Sequence, residues 1–270
     1  MDMAMNIPER LIGPAVLAAA FAANALHNHT ALGRTLDVLP GFYPLFFFIG
    51  VGAILPALVL GRAIRRTPAA ARALGVTVGW RDALAVVAAL VVGAALAAAP
   101  LAPILGLPGG PDRVLTLFAQ LMVASTAEVA LFLGMTAVGL RAWLGGRDDW
   151  RTGLLMIVAS SLLFGLFHFT YPTPWNTLAT AATVGVVWLA VSTLFVLTRS
   201  LVAALLLDNV MATVGFATRD LTLPLPPTMA VAIAIFAIAA FVAAFAWARR
   251  SRGISPPGSA NGAAGSQASG

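Results

Sequence analysis

TGLLMIVASSLLFGLFHF, residues 152–169, is a continuous apolar run that ends on a histidine, His168. At about 1.5 Å per residue such a run crosses most of the ~30 Å of hydrocarbon in a bilayer, so it reads as a membrane helix. The histidine is the anomaly in it. Two further apolar runs carry polar groups at similar depth: Glu128 in ASTAEVALFLG, residues 124–134, and the pair Asp208 and Asn209 in SLVAALLLDN, residues 200–209. An ionisable side chain inside a bilayer is costly and is kept where it faces the protein interior, a cavity or a partner. Three such helices therefore point to one buried polar site, with the rest of the chain as its scaffold.

Composition agrees with a membrane protein and excludes a soluble domain. Of the 270 residues 60% are hydrophobic and only 10% are charged, which fits an all-α, polytopic membrane bundle of about eight transmembrane helices. There is no cysteine, so disulfides, thiolate metal sites and a cysteine nucleophile are excluded. All 16 basic residues are arginine. They fall between apolar runs, as topology signals do, and not in a patch that would hold nucleic acid.

In chain order the expected spans run over residues 11–27, 43–60, 82–105, 113–141, 152–169, 177–197, 200–217 and 228–248. His27 and His29 are expected in the loop after the first span. Phe42, Tyr43 and Phe46–Phe48 read as an interfacial belt opening the second, which Pro56 should kink. The fourth is too long for a perpendicular crossing and must tilt, bend or emerge. Tyr171 and Trp175, in the turn TYPTPWN, read as interfacial anchors. The bundle is expected over residues 1–250, with a disordered, small and polar tail at 251–270. Eight spans with both termini cytoplasmic place the arginine clusters at 62–81, 141–151 and 249–252 on one side, as the positive-inside rule requires. The expected location is the inner membrane of a bacterium.

Glu128 lies near the middle of the fourth span, flanked by Ser125 and Thr126, and reads as a general base or acid. His168 can share a water with it, and that water would be a nucleophile. Asp208, if protonated, and Asn209, through its amide, could donate hydrogen bonds to a reacting carbonyl. The alternative is an interhelical polar contact that only fixes packing, worth about 1 kcal/mol.

These segments resemble the motifs of the CPBP intramembrane proteases, which include the CAAX prenyl endopeptidases and the Abi-related proteins. EVALFLG, residues 128–134, resembles the first motif; SSLLFGLFH, residues 160–168, with Phe164 and His168, the second; RSLVAALLLDN, residues 199–209, the third. The resemblance covers residues 73–216. It implies an endopeptidase in which Glu128 and His168 activate water, acting on a membrane-tethered or lipid-modified protein substrate in the lipid bilayer. The chain departs from the family pattern at Val129, where a second glutamate is usual, and at Leu133, where an arginine is usual. Asp208 replaces the third motif's histidine and Ala212 its asparagine. The oxyanion half of the site would then rest on a protonated Asp208, or on Asn209 and Thr213, four residues apart on one helix face. Two other classes stand beside this one, an inactive relative that binds, scaffolds or confers immunity, and a small proton-coupled transporter, against which no inverted repeat is visible. No cofactor is expected; zinc held by Glu128, His168 and Asp208 is the alternative, although no H-E-x-x-H pattern is present. His168 stands ~25 Å along its helix, which sets it toward the outer face and suggests an outward opening.

Overall fold

The computed structural model describes residues 7–36, 44–67, 70–76, 79–221 and 227–250. The first six residues, Asp37, Phe42, Tyr43 and the segment 251–270 lie outside the described residues. Among those described, the backbone is helical without a strand, and eight helices are long and apolar enough to cross a membrane. The protein is an all-α polytopic bundle.

The spans are α1 (Ile7–His29), α2 (a π-helical half Pro44–Ile54 continued by Leu55–Arg66), α3 (Trp80–Leu105), α4 (Gly110–Trp143), α5 (Trp150–Phe167), α6 (Leu178–Thr198), α7 (Leu201–Thr218) and α8 (Pro227–Arg250). Their ends are set by local chemistry that apolar patterning does not register. Asp149 caps α5, accepting from the backbone N–H of Thr152 at 2.8 Å and from its hydroxyl at 2.9 Å, contacts that hold its carboxyl below the usual range. Thr177 and Ser200 cap α6 and α7 in the same way, each through its hydroxyl and the N–H three residues on. His27 and His29, expected in a loop, stand instead in the last turn of α1, which continues two residues beyond the apolar run. Pro56 sits where the π-helical half of α2 passes into the α-helical half, and its missing N–H leaves a carbonyl of the preceding turn without its usual donor. The distortion of that span is the π-helical stretch before it.

The longest span, α4, has 34 residues, and 89% of its apolar 18-residue middle is buried, whereas the same share in no other span exceeds 56%. It is the central post. Its α-helical geometry is interrupted by a π-helical segment, Val129–Met135, that begins immediately after Glu128. A wider turn shifts the angular register, so residues on either side of it face directions that a regular 3.6-residue period would not give.

Around the post the core is aromatic. Phe132 of α4 lies 5.3 Å from Phe164, 5.0 Å from Phe167 and 6.3 Å from Trp188 between ring centroids. Phe164 stacks on Trp188 at 3.8 Å and 23°, joining α5 to α6. That pairing needs close backbones. A Cβ placed on Gly165 would come 2.8 Å from the Ala181 carbonyl oxygen and 3.4 Å from the Gly185 Cα. The Ser161 and Ser192 hydroxyls, 3.2 Å apart, join the same two helices through a hydrogen bond. In hydrocarbon, where burial of apolar groups gives no net drive, small residues and a few polar contacts of this kind hold helices together.

Contacts at the two ends of the bundle fix how the spans alternate. At one end Arg199 pairs with Asp148 at 2.5 Å, and the Leu201 N–H bonds the Gly75 carbonyl at 3.1 Å. The opposite end holds the Arg113–Asp220 pair at 2.6 Å and the Asn24–Thr170 contact at 2.6 Å. The first end gathers Arg62, Arg65, Arg66, Arg72, Arg81, Arg141, Arg147, Arg151, Arg199, Arg249 and Arg250.

Replacing Gly165 with valine is expected to force α6 away from α5 and to lower unfolding stability by about 1–3 kcal/mol, the usual cost of overpacking. Ser161→Ala, which removes only a hydroxyl, is expected to cost about 0.6 kcal/mol. Unfolding titrations of the purified protein in mixed micelles measure both, and the order of the two effects is the test.

Candidate functional site

Glu128 occupies the last α-helical turn of α4 before the π-helical segment and is half-buried. The Tyr171 hydroxyl donates to its Oε1 across 3.4 Å. Tyr171 in turn packs its ring 5.3 Å from that of His168 and 5.3 Å from that of Phe167. One tyrosine thus joins the carboxylate of α4 to the imidazole that follows α5.

His168 is buried and starts a short 3₁₀ turn, His168–Thr170, that ends the α5 span. Its Nδ1 lies 2.9 Å from the Phe164 carbonyl oxygen. A carbonyl only accepts, so this contact assigns the proton to Nδ1 and leaves the lone pair of the neutral ring on Nε2. A histidine in that tautomer presents a base at its far nitrogen.

The turn that carries His168 is held from α1. Asn24, fully buried, donates its amide to the Thr170 hydroxyl at 2.6 Å. Asn28 donates to the Thr170 carbonyl and to Asn24 Oδ1, both at 3.0 Å. The Thr170 hydroxyl itself donates to the Phe167 carbonyl at 2.6 Å. Beyond this clamp, Trp175 lies 6.4 Å from His168 and stacks on Phe216 of α7 at 5.2 Å. The Arg219 guanidinium lies over the same indole at 5.6 Å.

Asp208 comes to the site from α7. It is buried, and lies close enough to Glu128 for the two carboxyl groups to interact electrostatically. Its Oδ2 is buried without a hydrogen-bond partner. A buried acceptor left unmatched is costly, so an interior oxygen of this kind faces a proton, a water or a ligand.

Asn209 belongs to a different contact. Its amide donates to the Phe118 carbonyl at 2.9 Å, and its Oδ1 accepts from the Ser125 hydroxyl at 3.3 Å. Both ends of the side chain are engaged with α4, which makes it a brace between α7 and α4. Thr213 is likewise engaged, its hydroxyl donating to the Asn209 carbonyl at 2.7 Å. Val129 and Leu133, at the two altered positions of the first motif, are fully buried in apolar packing. No cluster of three or more histidine, aspartate or glutamate side chains suited to a metal ion occurs among the described residues.

Of the four residues expected at the site, Glu128, His168 and Asp208 are brought into one interior, and Asn209 is turned against α4. Tyr171, read from sequence as an interfacial anchor, is the link between the first two. Asn24 and Asn28, four residues apart on one face of α1, were the sequence signal for the clamp. Comparison of the chain with protein-family models, curated proteins and solved structures returns no match.

Asn24→Ala is expected to remove the principal bond from α1 to the His168 turn, costing about 1 kcal/mol of stability. Amide hydrogen exchange at residues 168–171 should quicken while that of α6 stays unchanged. Unaltered exchange in the turn would mean that α1 does not hold it.

Proposed function

We propose that the chain is an intramembrane endopeptidase of divergent CPBP type, which hydrolyses a peptide bond in a membrane-tethered or lipid-modified protein. The observation that carries the reading is Glu128 held by Tyr171 beside His168, with the unpartnered oxygen of Asp208 facing the same interior. The motif resemblance supports it, since Glu128 and His168, both in contact with Tyr171, are the residues it implies as the pair that activates water.

In the proposed reaction a water between Glu128 and His168 attacks the carbonyl carbon of the scissile bond. Glu128 takes the proton that the water loses, and His168 Nε2 orients the water by accepting its other hydrogen. Asp208 acts in its neutral form and donates to the carbonyl oxygen as negative charge develops there. The carbon–nitrogen bond then breaks, and Glu128 returns its proton to the departing amine. Asn209 holds Asp208 in place through the α7–α4 brace and touches no substrate. Tyr171 positions Glu128.

A second reading has an observation of its own. Val129 and Leu133 put apolar packing where the resembling family carries an acid and an arginine, which favours a relative that binds membrane segments without cutting them. Cleavage assays on membranes distinguish the two. Glu128→Gln and His168→Ala should each lower release of a cleaved product by at least ~100-fold, the ordinary contribution of a general base. Asp208→Asn, which keeps a donor, should retain more activity than Asp208→Ala. Wild type indistinguishable from Glu128→Gln would remove the protease reading and leave the binding one.

The bundle is proposed to lie in a bacterial inner membrane with its arginine-rich end and both termini in the cytoplasm. His168, at the other end of its span, would then open toward the outer face and suit a substrate already exported. Because the chain has no cysteine, single cysteines report orientation without background. A membrane-impermeant maleimide added to intact cells should label Leu107→Cys and leave Arg147→Cys untouched, and the reverse pattern would invert the topology.

A further inference from the structure

In the proposed reaction Asp208 alone donates to the reacting carbonyl. The other polar side chains around it are engaged elsewhere: Asn209 donates to the Phe118 carbonyl, Ser125 to Asn209, Thr213 to the Asn209 carbonyl and Tyr171 to Glu128. One interior donor is left over. The indole of Trp188, on α6, is fully buried, and its Nε1–H, buried with it, has no hydrogen-bond partner. An unmatched buried donor costs about 1–3 kcal/mol, so a tryptophan is kept in a core where its N–H has an acceptor to meet.

Packing and depth both set that N–H beside the site. Trp188 stacks on Phe164 at 3.8 Å between ring centroids, and Phe164 lies 4.8 Å from the His168 ring. The indole also meets Phe132, one turn along α4 from Glu128, at 6.3 Å and 85°. It is therefore one ring removed from His168 and one turn from Glu128. The spans α6 and α7 pack against each other on either side of the tight turn at Arg199 and Ser200. At 1.5 Å per residue Trp188 stands ~17 Å before that turn and Asp208 ~12 Å after it, within about one helical turn of the same depth.

Asp208 supplies the complementary observation, since its Oδ2 is likewise buried and unpartnered. The two atoms are not bonded to each other, as an ionised Asp208 would invite. With Asp208 neutral, both are donors that need an acceptor, and one oxygen with two lone pairs satisfies both.

We infer that the Trp188 indole N–H is a second donor to the carbonyl oxygen of the scissile peptide bond, reaching it from α6 while Asp208 reaches it from α7. The assignment rests on the proposed reaction and supplies the donor that Ala212 cannot. The bond strengthens as negative charge develops on the oxygen, so it lowers the barrier more than it tightens binding.

The test takes as substrate the membrane protein whose cleavage Glu128→Gln abolishes, added at varied mole fraction to vesicles that contain the full-length chain. Trp188→Phe removes the N–H and keeps an aromatic ring against Phe164. It should lower kcat by about 100-fold or more, the cost of one such donor, with KM unchanged. Replacing Trp188 by benzothienylalanine, which has the shape of tryptophan with sulfur for the N–H, should give the same loss and decides the matter if phenylalanine disturbs folding. Hydrogen exchange needs no substrate. The Trp188 indole proton, assigned by its disappearance in Trp188→Phe, should exchange well ahead of the core amides of α6, which open only with the fold, because water enters the site that the N–H faces. An indole proton as protected as those amides would place the N–H in dry packing and overturn the inference. So would an unchanged kcat in the folded variants beside an inactive Glu128→Gln, which leaves the reaction standing. Wild type no more active than Glu128→Gln would remove the reaction and this donor with it.

Discussion

The hydrogen bond from the Tyr171 hydroxyl to Glu128 is the contact on which the rest of the bundle depends. A carboxylate at this depth has no water to solvate it, so the protein must surround it and supply partners. That requirement places α4 at the centre and makes it the most buried span. It also brings the end of α5 inward, because the tyrosine that answers Glu128 lies just past His168. The other spans follow from covering these two, with α7 contributing Asp208 and α1 fixing the turn.

Polar contacts and small residues together determine how tightly the helices meet. Asn24 and Asn28 hold the His168 turn, Asn209 braces α7 on α4, and the Ser161–Ser192 contact joins α5 and α6 where Gly165 lets the backbones approach. None of these residues needs to take part in chemistry. Their combined effect is to hold three ionisable groups in one interior while the aromatic core around Phe132 keeps lipid out. The π-helical segment after Glu128, Val129 to Met135, is buried on every side, as are most of the residues flanking it, because other helices surround this stretch of α4. A regular helix over the same residues would carry them around in a different register.

Much of this was legible in the chain. Eight apolar runs, separated by arginine-rich and arginine-poor connections in alternation, gave the span count and the way they alternate, and the end-to-end contacts agree with that alternation. Glu128, His168 and Asp208 stood out because charge or imidazole in an apolar run is conspicuous. Asn209 stood out for the same reason, yet it is turned toward Phe118 and Ser125, because neighbouring residues on a helix point about 100° apart. Tyr171, read beside prolines and a tryptophan as an interfacial anchor, does lie in the turn after α5, but nothing local marks that its hydroxyl reaches another helix.

The sequence by itself determined the all-α membrane class, the spans and the three ionisable positions, because the cost of placing polar groups in hydrocarbon is a local property of each segment. Tertiary structure alone decided which of those groups meet, the π-helical turn that follows Glu128 and the clamp from α1. Each of these depends on angular register and distance between helices far apart in the chain, which packing sets and composition does not encode.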